Sequence, residues 1–145
     1  MTLTALSQTV ATSKDRAASE AERATGLAMR RGAAGRCPAC GERGLFSSYL
    51  KVSNACPSCN EPLHHQRADD GPAYVTILVV SHILTPILLA LYVAWRPSVT
   101  SLLVGFLSAA VIMSLAMLPM VKGAFVGLQW ARRMHGFGHG DAAAE

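Results

Sequence analysis

The stretch CPACGERGLFSSYLKVSNACPSC, residues 37–59, holds all four cysteines of the chain in two pairs of identical spacing. Each pair is written Cys-Pro-x-Cys, and fifteen residues separate Cys40 from Cys56. This is the spacing of a four-thiolate metal site. Two thiolates two residues apart clamp one edge of a tetrahedral ion, and a second pair carried in by a β-hairpin closes the opposite edge. Pro38 and Pro57 stiffen the two turns, while Gly41 and Asn60 are residue types that tolerate the left-handed backbone of a tight metal knuckle. Between the pairs, Leu45, Phe46, Tyr49, Leu50 and Val52 offer a short hairpin a small core. A module below about 40 residues needs a metal or a disulfide to fold. A site with four cysteines has no open position, so the expected role is structural and not catalytic.

About a dozen residues further on the composition changes. Half of the 145 residues are hydrophobic and 15% are charged. The apolar residues concentrate in two runs without Asp, Glu, Lys or Arg, 73–95 and 97–121. A helix of either length crosses a hydrocarbon core of roughly 30 Å. A chain this short has nothing large enough to bury two such helices on all sides, so two membrane spans are expected. The opening MTLTALSQTVATSKDR has neither a positive start nor an apolar core, which leaves the first span as the insertion signal.

Charge predicts the orientation. Nine of the 13 Lys and Arg precede the first span, three follow the second, and only Arg96 lies between them. The positive-inside rule then puts both termini in the cytoplasm and the turn near Arg96–Pro97 outside. The basic pI of about 9.1 is accounted for by topology and is no sign of nucleic-acid binding. Cytoplasmic cysteines stay reduced, which argues against disulfides. A redox dithiol would need a βαβ surround, and haem attachment would need a histidine after the second cysteine of a pair. Zinc is the expected structural ion at Cys37, Cys40, Cys56 and Cys59, with iron in the same site as the alternative. His64 and His65 read as surface residues.

The expected fold is a small zinc ribbon built on a β-hairpin, followed by an α-helical transmembrane hairpin. Its parts are a disordered or weakly helical tail (1–35, with a solvated helix over 14–31 capped by Ser13), the ribbon (36–68), a joint (69–72), spans at 73–95 and 99–121 around a turn (96–98), an amphipathic interfacial helix (122–134) and a flexible tail (135–145). Asp69 and Asp70 place negative charge at the start of the first span, where the helix dipole favours it, and the alternative reading is a conformational joint or partner contact at the membrane surface. Gly71 allows a bend there, and Pro72 suits a first helical turn.

Several further residues are candidate partner or cofactor contacts. His82 and Pro86 lie near the middle of span one. Pro86 has no N–H, so the His82 carbonyl loses its helical partner. An ionisable residue at that depth is a functional hypothesis by default. Packing across the hairpin on Ser108 or Ser114 is the plainer reading, and a partner helix or cofactor the sharper one. Ser101, Gly105 and Ala109 permit close helix approach. Met113, Met117 and Met120 share a face that, with His82, could serve copper or haem, although flexible packing is the plainer reading of the methionines. Tyr74, Tyr92, Trp95 and Trp130 fall where interfacial aromatics are expected.

With these residues in hand, the chain resembles a bacterial family, domain of unknown function 983, over roughly residues 35–132. CPACGERGLF, CPSC, ADDGPAY and VVSHI carry the resemblance. Many members lack a complete cysteine set. In alphaproteobacterial-type members the gene often lies beside those of the haem–copper terminal oxidase and its assembly factors. The resemblance therefore implies a non-enzymatic accessory or assembly protein of a respiratory membrane complex, with oxidase subunits or assembly factors as partners. It assigns no catalytic residue.

Overall fold

The structure is a computed structural model, and it describes residues 24–68 and 70–137. Ser13 and most of the helix expected over 14–31 lie outside the described residues, as do Asp69 and the chain beyond 137.

The first described element is helix α1, Thr25–Ala33. Ala, Leu, Met and Arg favour the helix, and Arg30 and Arg31 in its last turn complement the dipole. It ends in a Schellman turn. Gly35 takes φ +69°, its N–H donates to the Gly32 carbonyl at 2.8 Å, and the Arg36 N–H donates to the Arg31 carbonyl at 2.9 Å. That turn delivers the chain directly into Cys37.

The ribbon follows. Strands β1 (Phe46–Ser48) and β2 (Lys51–Val52) pair antiparallel, with Phe46 opposite Val52 and Ser48 opposite Lys51. Tyr49 and Leu50 make the turn, which forces Leu50 to φ +61°. Two apolar helices complete the molecule, α2 (Gly71–Trp95) and α3 (Val99–Ala131), and a 3-10 turn at Met134–Gly136 follows. Both long helices have the length and hydropathy to cross a membrane. They are joined through Arg96, which caps α2 in a left-handed conformation, and Ser98, whose hydroxyl accepts from the Ser101 N–H.

The two helices differ in length, and that difference organises the rest. The 25 residues of α2 span about 37 Å, whereas the 33 of α3 span about 50 Å. Gly71 lies against Phe125, so the last turn and a half of α3 runs past the start of α2. The amphipathic segment expected over 122–134 continues the second span unbroken to Ala131, but it does not lie along a surface. Its final turns are buried against protein: Gly123, Val126, Gly127, Gln129 and Ala131 are all buried. Along this overhang α1 packs antiparallel to α3. Gly32 meets Gly123, and Ala28 meets Gly127, backbone against backbone, with no room for a Cβ at any of the three glycines.

The ribbon and the overhang share one core. Cys37, Leu45, Cys56, Leu63 and Ala68 close around Val126 of α3 and around Phe137, with Phe46, Val52, Phe125 and Trp130 packed at its edge. Phe137 is 1% exposed, so the stretch expected to be flexible from 135 folds back and closes the core at least that far. Two polar contacts lock the assembly. Gln129, 6% exposed, accepts from the Arg67 N–H and donates to the Arg67 carbonyl, each at 3.0 Å. Trp130 Nε1 donates to Glu61 at 2.7 Å, which turns an expected interfacial aromatic into a strut under the ribbon.

Within the hairpin, Thr76, Val80 and Leu84 form a buried stripe at four-residue spacing. Gly105, expected to bring the helices close, has open space where its Cβ would be. Ser101, Gly105 and Ala109 instead line an apolar crevice of about 170 Å³ with Leu84, Ile87 and Leu88. The close glycine approach lies on the overhang.

Candidate metal centre

Each Cys-Pro-x-Cys turn is held by the same pair of backbone bonds. In the first, the Cys37 N–H donates to Glu42 at 2.8 Å and the Gly41 N–H to Cys37 at 2.9 Å. In the second, Cys56 donates to Glu61 at 3.0 Å and Asn60 to Cys56 at 2.9 Å. Gly41 (φ +84°) and Asn60 (φ +57°) take the left-handed conformation the spacing demands. The result is two equivalent knuckles, each backed by an isolated bridge, Arg36 with Arg43 and Ala55 with Pro62.

The knuckles face each other with all four Sγ atoms within 4.8 Å. Cys37 to Cys59 and Cys40 to Cys56 are each 3.8 Å apart. A tetrahedron with metal–sulfur bonds near 2.3 Å has edges of roughly 3.8 Å. The cluster therefore has the dimensions of a tetrahedral four-thiolate centre and can hold a metal ion. Cys37 and Cys56 are buried in the core, and Cys40 and Cys59 form the exposed edge.

The surroundings suit a negatively charged centre, since four thiolates around a divalent ion leave a net charge of about −2. Arg31 Nη1 reaches from α1 to the carbonyls of Pro38 (3.2 Å) and Ala39 (3.0 Å), and Arg36 Nη1 reaches Gly41 at 3.2 Å. Burial pushes the Cys37 thiol up to about 12. Burial also opposes ionisation of Cys56, but hydrogen bonds from the backbone N–H groups of Cys59 and Ser58, together with those from the Cys59 and Cys37 thiols, outweigh it and bring that thiol down to about 7. Cys59 is raised by burial.

The other candidate residues are scattered. Asp70 stands at the α2 N-cap but makes no side-chain cap bond, so its contribution there is charge alone. Gly71 has no positive φ and provides no bend; its missing Cβ makes room for the Phe125 ring. His82 faces outward, and its Nδ1 lies 2.7 Å from the Leu78 carbonyl of its own helix. It does not reach Ser108, whose hydroxyl donates to Val104 (2.7 Å) and Gly105 (3.0 Å). Ser81, His82, Thr85 and Pro86 line one open notch, to which Met113 and Met117 do not contribute. His65 is no free surface residue. Its ring lies 4.0 Å from that of His64 and edge-on to Phe137 at 5.9 Å, with Nε2 enclosed.

One contact joins the ribbon to the membrane helix. Tyr49, expected in the hairpin core, is 54% exposed and donates its hydroxyl to the Leu115 carbonyl at 2.7 Å. Leu115 is the residue four before Pro119, so its carbonyl is the one that proline leaves without a helical donor. Leu115 also lies sixteen residues past Val99, about 24 Å along α3, within the depth of a hydrocarbon core. The hairpin tip thus lies against the span, not above it.

Fold and site together define a class: a four-cysteine metal ribbon built onto the overhanging end of an apolar two-helix hairpin. The chain belongs to the family described as protein of unknown function (DUF983), whose profile matches residues 46–130. That segment contains Cys56, Cys59, all of α2 and α3 as far as Trp130, and it begins after Cys37, Cys40 and α1. No curated protein and no solved structure gives a significant match.

Proposed function

We propose that this chain is a non-enzymatic accessory or assembly protein of a respiratory membrane complex, with the haem–copper terminal oxidase as its partner. Zinc, rather than iron, fills the ribbon as a structural ion. The observation that carries the reading is the closed metal site. All four coordination positions are thiolates from rigid knuckles, and Arg31 and Arg36 brace the backbone of the first knuckle, which leaves no position for a substrate. Such a site stabilises a surface. The choice of oxidase rests on the gene neighbourhood that the family resemblance implies, which is association and not residue chemistry. Metal or haem handling through His82 and the methionines is the second reading. The outward Nε2 of His82 favours it, and the absence of methionine from the notch weighs against it.

We read the chain as a two-pass protein of the bacterial inner membrane with both termini cytoplasmic. Ribbon, α1 and the end of α3 pack together, as a two-pass chain requires, and the Lys and Arg distribution sets the direction. A reporter at Pro97 is expected to be active only outside, and fusions at either terminus only inside; the reverse pattern overturns the orientation.

The function is tested by recovering the full chain from native membranes in mild detergent and identifying what accompanies it by mass spectrometry. Oxidase subunits or their assembly factors are expected in excess over other inner-membrane complexes. Recovery of the chain alone, or turnover of a substrate by it, sinks the reading.

A further inference from the structure

Two prolines interrupt the backbone ladders of the long helices, and the protein treats them differently. Pro119 frees the Leu115 carbonyl, and Tyr49 supplies an O–H donor to it at 2.7 Å. Pro86 frees the His82 carbonyl, and among the described residues no side chain donates to it. His82 is one residue from the middle of α2, where no water is at hand to fill the gap.

The imidazole adds to the demand. The Leu78 carbonyl can only accept, so Nδ1 must carry the proton that bridges their 2.7 Å separation. A neutral ring protonated on Nδ1 leaves Nε2 as a bare acceptor. The side chain is exposed on the outer surface of the hairpin, in the notch lined by Ser81, Thr85 and Pro86. The Ser81 hydroxyl cannot help, because it already donates within its own helix to Ile77 (2.8 Å) and Leu78 (3.1 Å). The notch therefore holds two acceptors of one residue, the His82 carbonyl and Nε2, and the single Thr85 hydroxyl that also lines it can answer at most one of them, in a place where unsatisfied polar groups are costly.

We infer that this notch is the intramembrane docking site for a helix of the partner complex, and that the partner contributes a hydroxyl or N–H donor directed at His82. This deepens the accessory-protein reading and rests on it. The chain's own solution at Leu115, a tyrosine hydroxyl laid on a proline-freed carbonyl, is the chemistry the partner reproduces. A second copy is the wrong occupant. Two copies in one bilayer share an orientation, so a two-fold pair sets His82 against His82 at equal depth, acceptor against acceptor. A metal or haem iron would use Nε2 as a ligand and would leave the carbonyl unanswered.

The test compares wild type, His82→Leu, His82→Gln and Pro86→Ala, each purified as the full chain from native membranes in mild detergent. Inserted amount and metal content are measured alongside complex yield, so that a folding defect is visible. Glutamine can place an acceptor oxygen near the position of Nε2 but is a poor ligand for iron or copper. Complex yield is expected to fall roughly tenfold in His82→Leu, the factor that corresponds to about 1.4 kcal/mol, and to stay within about twofold of wild type in His82→Gln. Pro86→Ala restores an N–H to the carbonyl and is expected to give an intermediate loss. Equal yield from His82→Leu and wild type overturns the inference while leaving the accessory reading intact. Loss in His82→Gln as deep as in His82→Leu overturns it in favour of a bound metal or haem. If wild type recovers no complex, the accessory reading and this inference fall together.

Discussion

Cys56→Ser is expected to leave the protein inserted but without its metal, with residues 35–68 open to protease. Cys56 is 1% exposed and sits in the shared core, so its loss removes one ligand and disturbs the packing around Leu45 and Leu63 together. In small zinc modules metal binding supplies roughly 10–16 kcal/mol of apparent folding energy. The effect here should be smaller, because Val126 and Phe137 still offer the ribbon an apolar surface. Metal content of the purified protein, one ion per chain falling to none, is the primary readout. Loading also depends on pH in a defined direction. Each thiol must lose its proton to bind, and burial holds the Cys37 proton up to about 12 in the metal-free form. The ion therefore competes with protons, and its affinity falls as pH is lowered and rises as pH is raised. Full metal retention in a chain lacking both Cys56 and Cys59 rules out the four-thiolate centre.

Gly123→Leu should detach α1. A Cβ at Gly123 runs into the Gly32 carbonyl, with the Gly32 carbon itself only 2.6 Å away. Both obstacles are backbone, so no rotamer change relieves the clash, and the cost exceeds the roughly 1–3 kcal/mol of ordinary overpacking. Gly127→Leu meets the Ala28 carbonyl in the same way. Gly26 on α1 has nothing within 4 Å of its would-be Cβ, so Gly26→Leu adds the same bulk without a clash and serves as the control. Amide exchange over 25–36 is the measurement. Protection should collapse in Gly123→Leu and persist in Gly26→Leu. Unchanged protection in Gly123→Leu means that α1 does not pack on α3 as described. Since Arg31 of α1 also braces Pro38 and Ala39, a detached helix should weaken metal retention as well.

The knuckles and both apolar helices were legible from the chain because their determinants are local. Cys-Pro-x-Cys followed by Gly41 or Asn60 specifies a turn by itself, and an uncharged run of such length specifies a helix. What joins them was not legible, because it depends on residues far apart in sequence. Gln129 reads as an ordinary polar residue until Arg67 is placed beside it. Phe137 sits in a glycine- and histidine-rich tail that gives no sign of returning to the core. Two signals were present and read otherwise. GAFVG at 123–127 and AMRRG at 28–32 are matching small-residue pairs, but the first lies in a stretch whose charges point to an interfacial surface and the second in one whose composition points to a solvated tail. The orphan carbonyl four residues before Pro119 was equally available to arithmetic, although nothing local pointed to Tyr49 as its donor.

The order in which the chain is made gives the overhang of α3 another significance. The cysteines and α1 are synthesised first, while Val126, Gly123, Gly127 and Gln129, which complete their core, seat α1 and clamp Arg67, are synthesised last. Between the two lies the whole apolar hairpin. Until the end of α3 has been made and has paired with α2, the ribbon lacks its apolar floor and α1 lacks its seat. A nascent chain arrested after α2 should carry knuckles without a finished domain around them. Completion of the ribbon thus requires that both long helices have been made and paired, so an ordered ribbon is a readout of a finished hairpin.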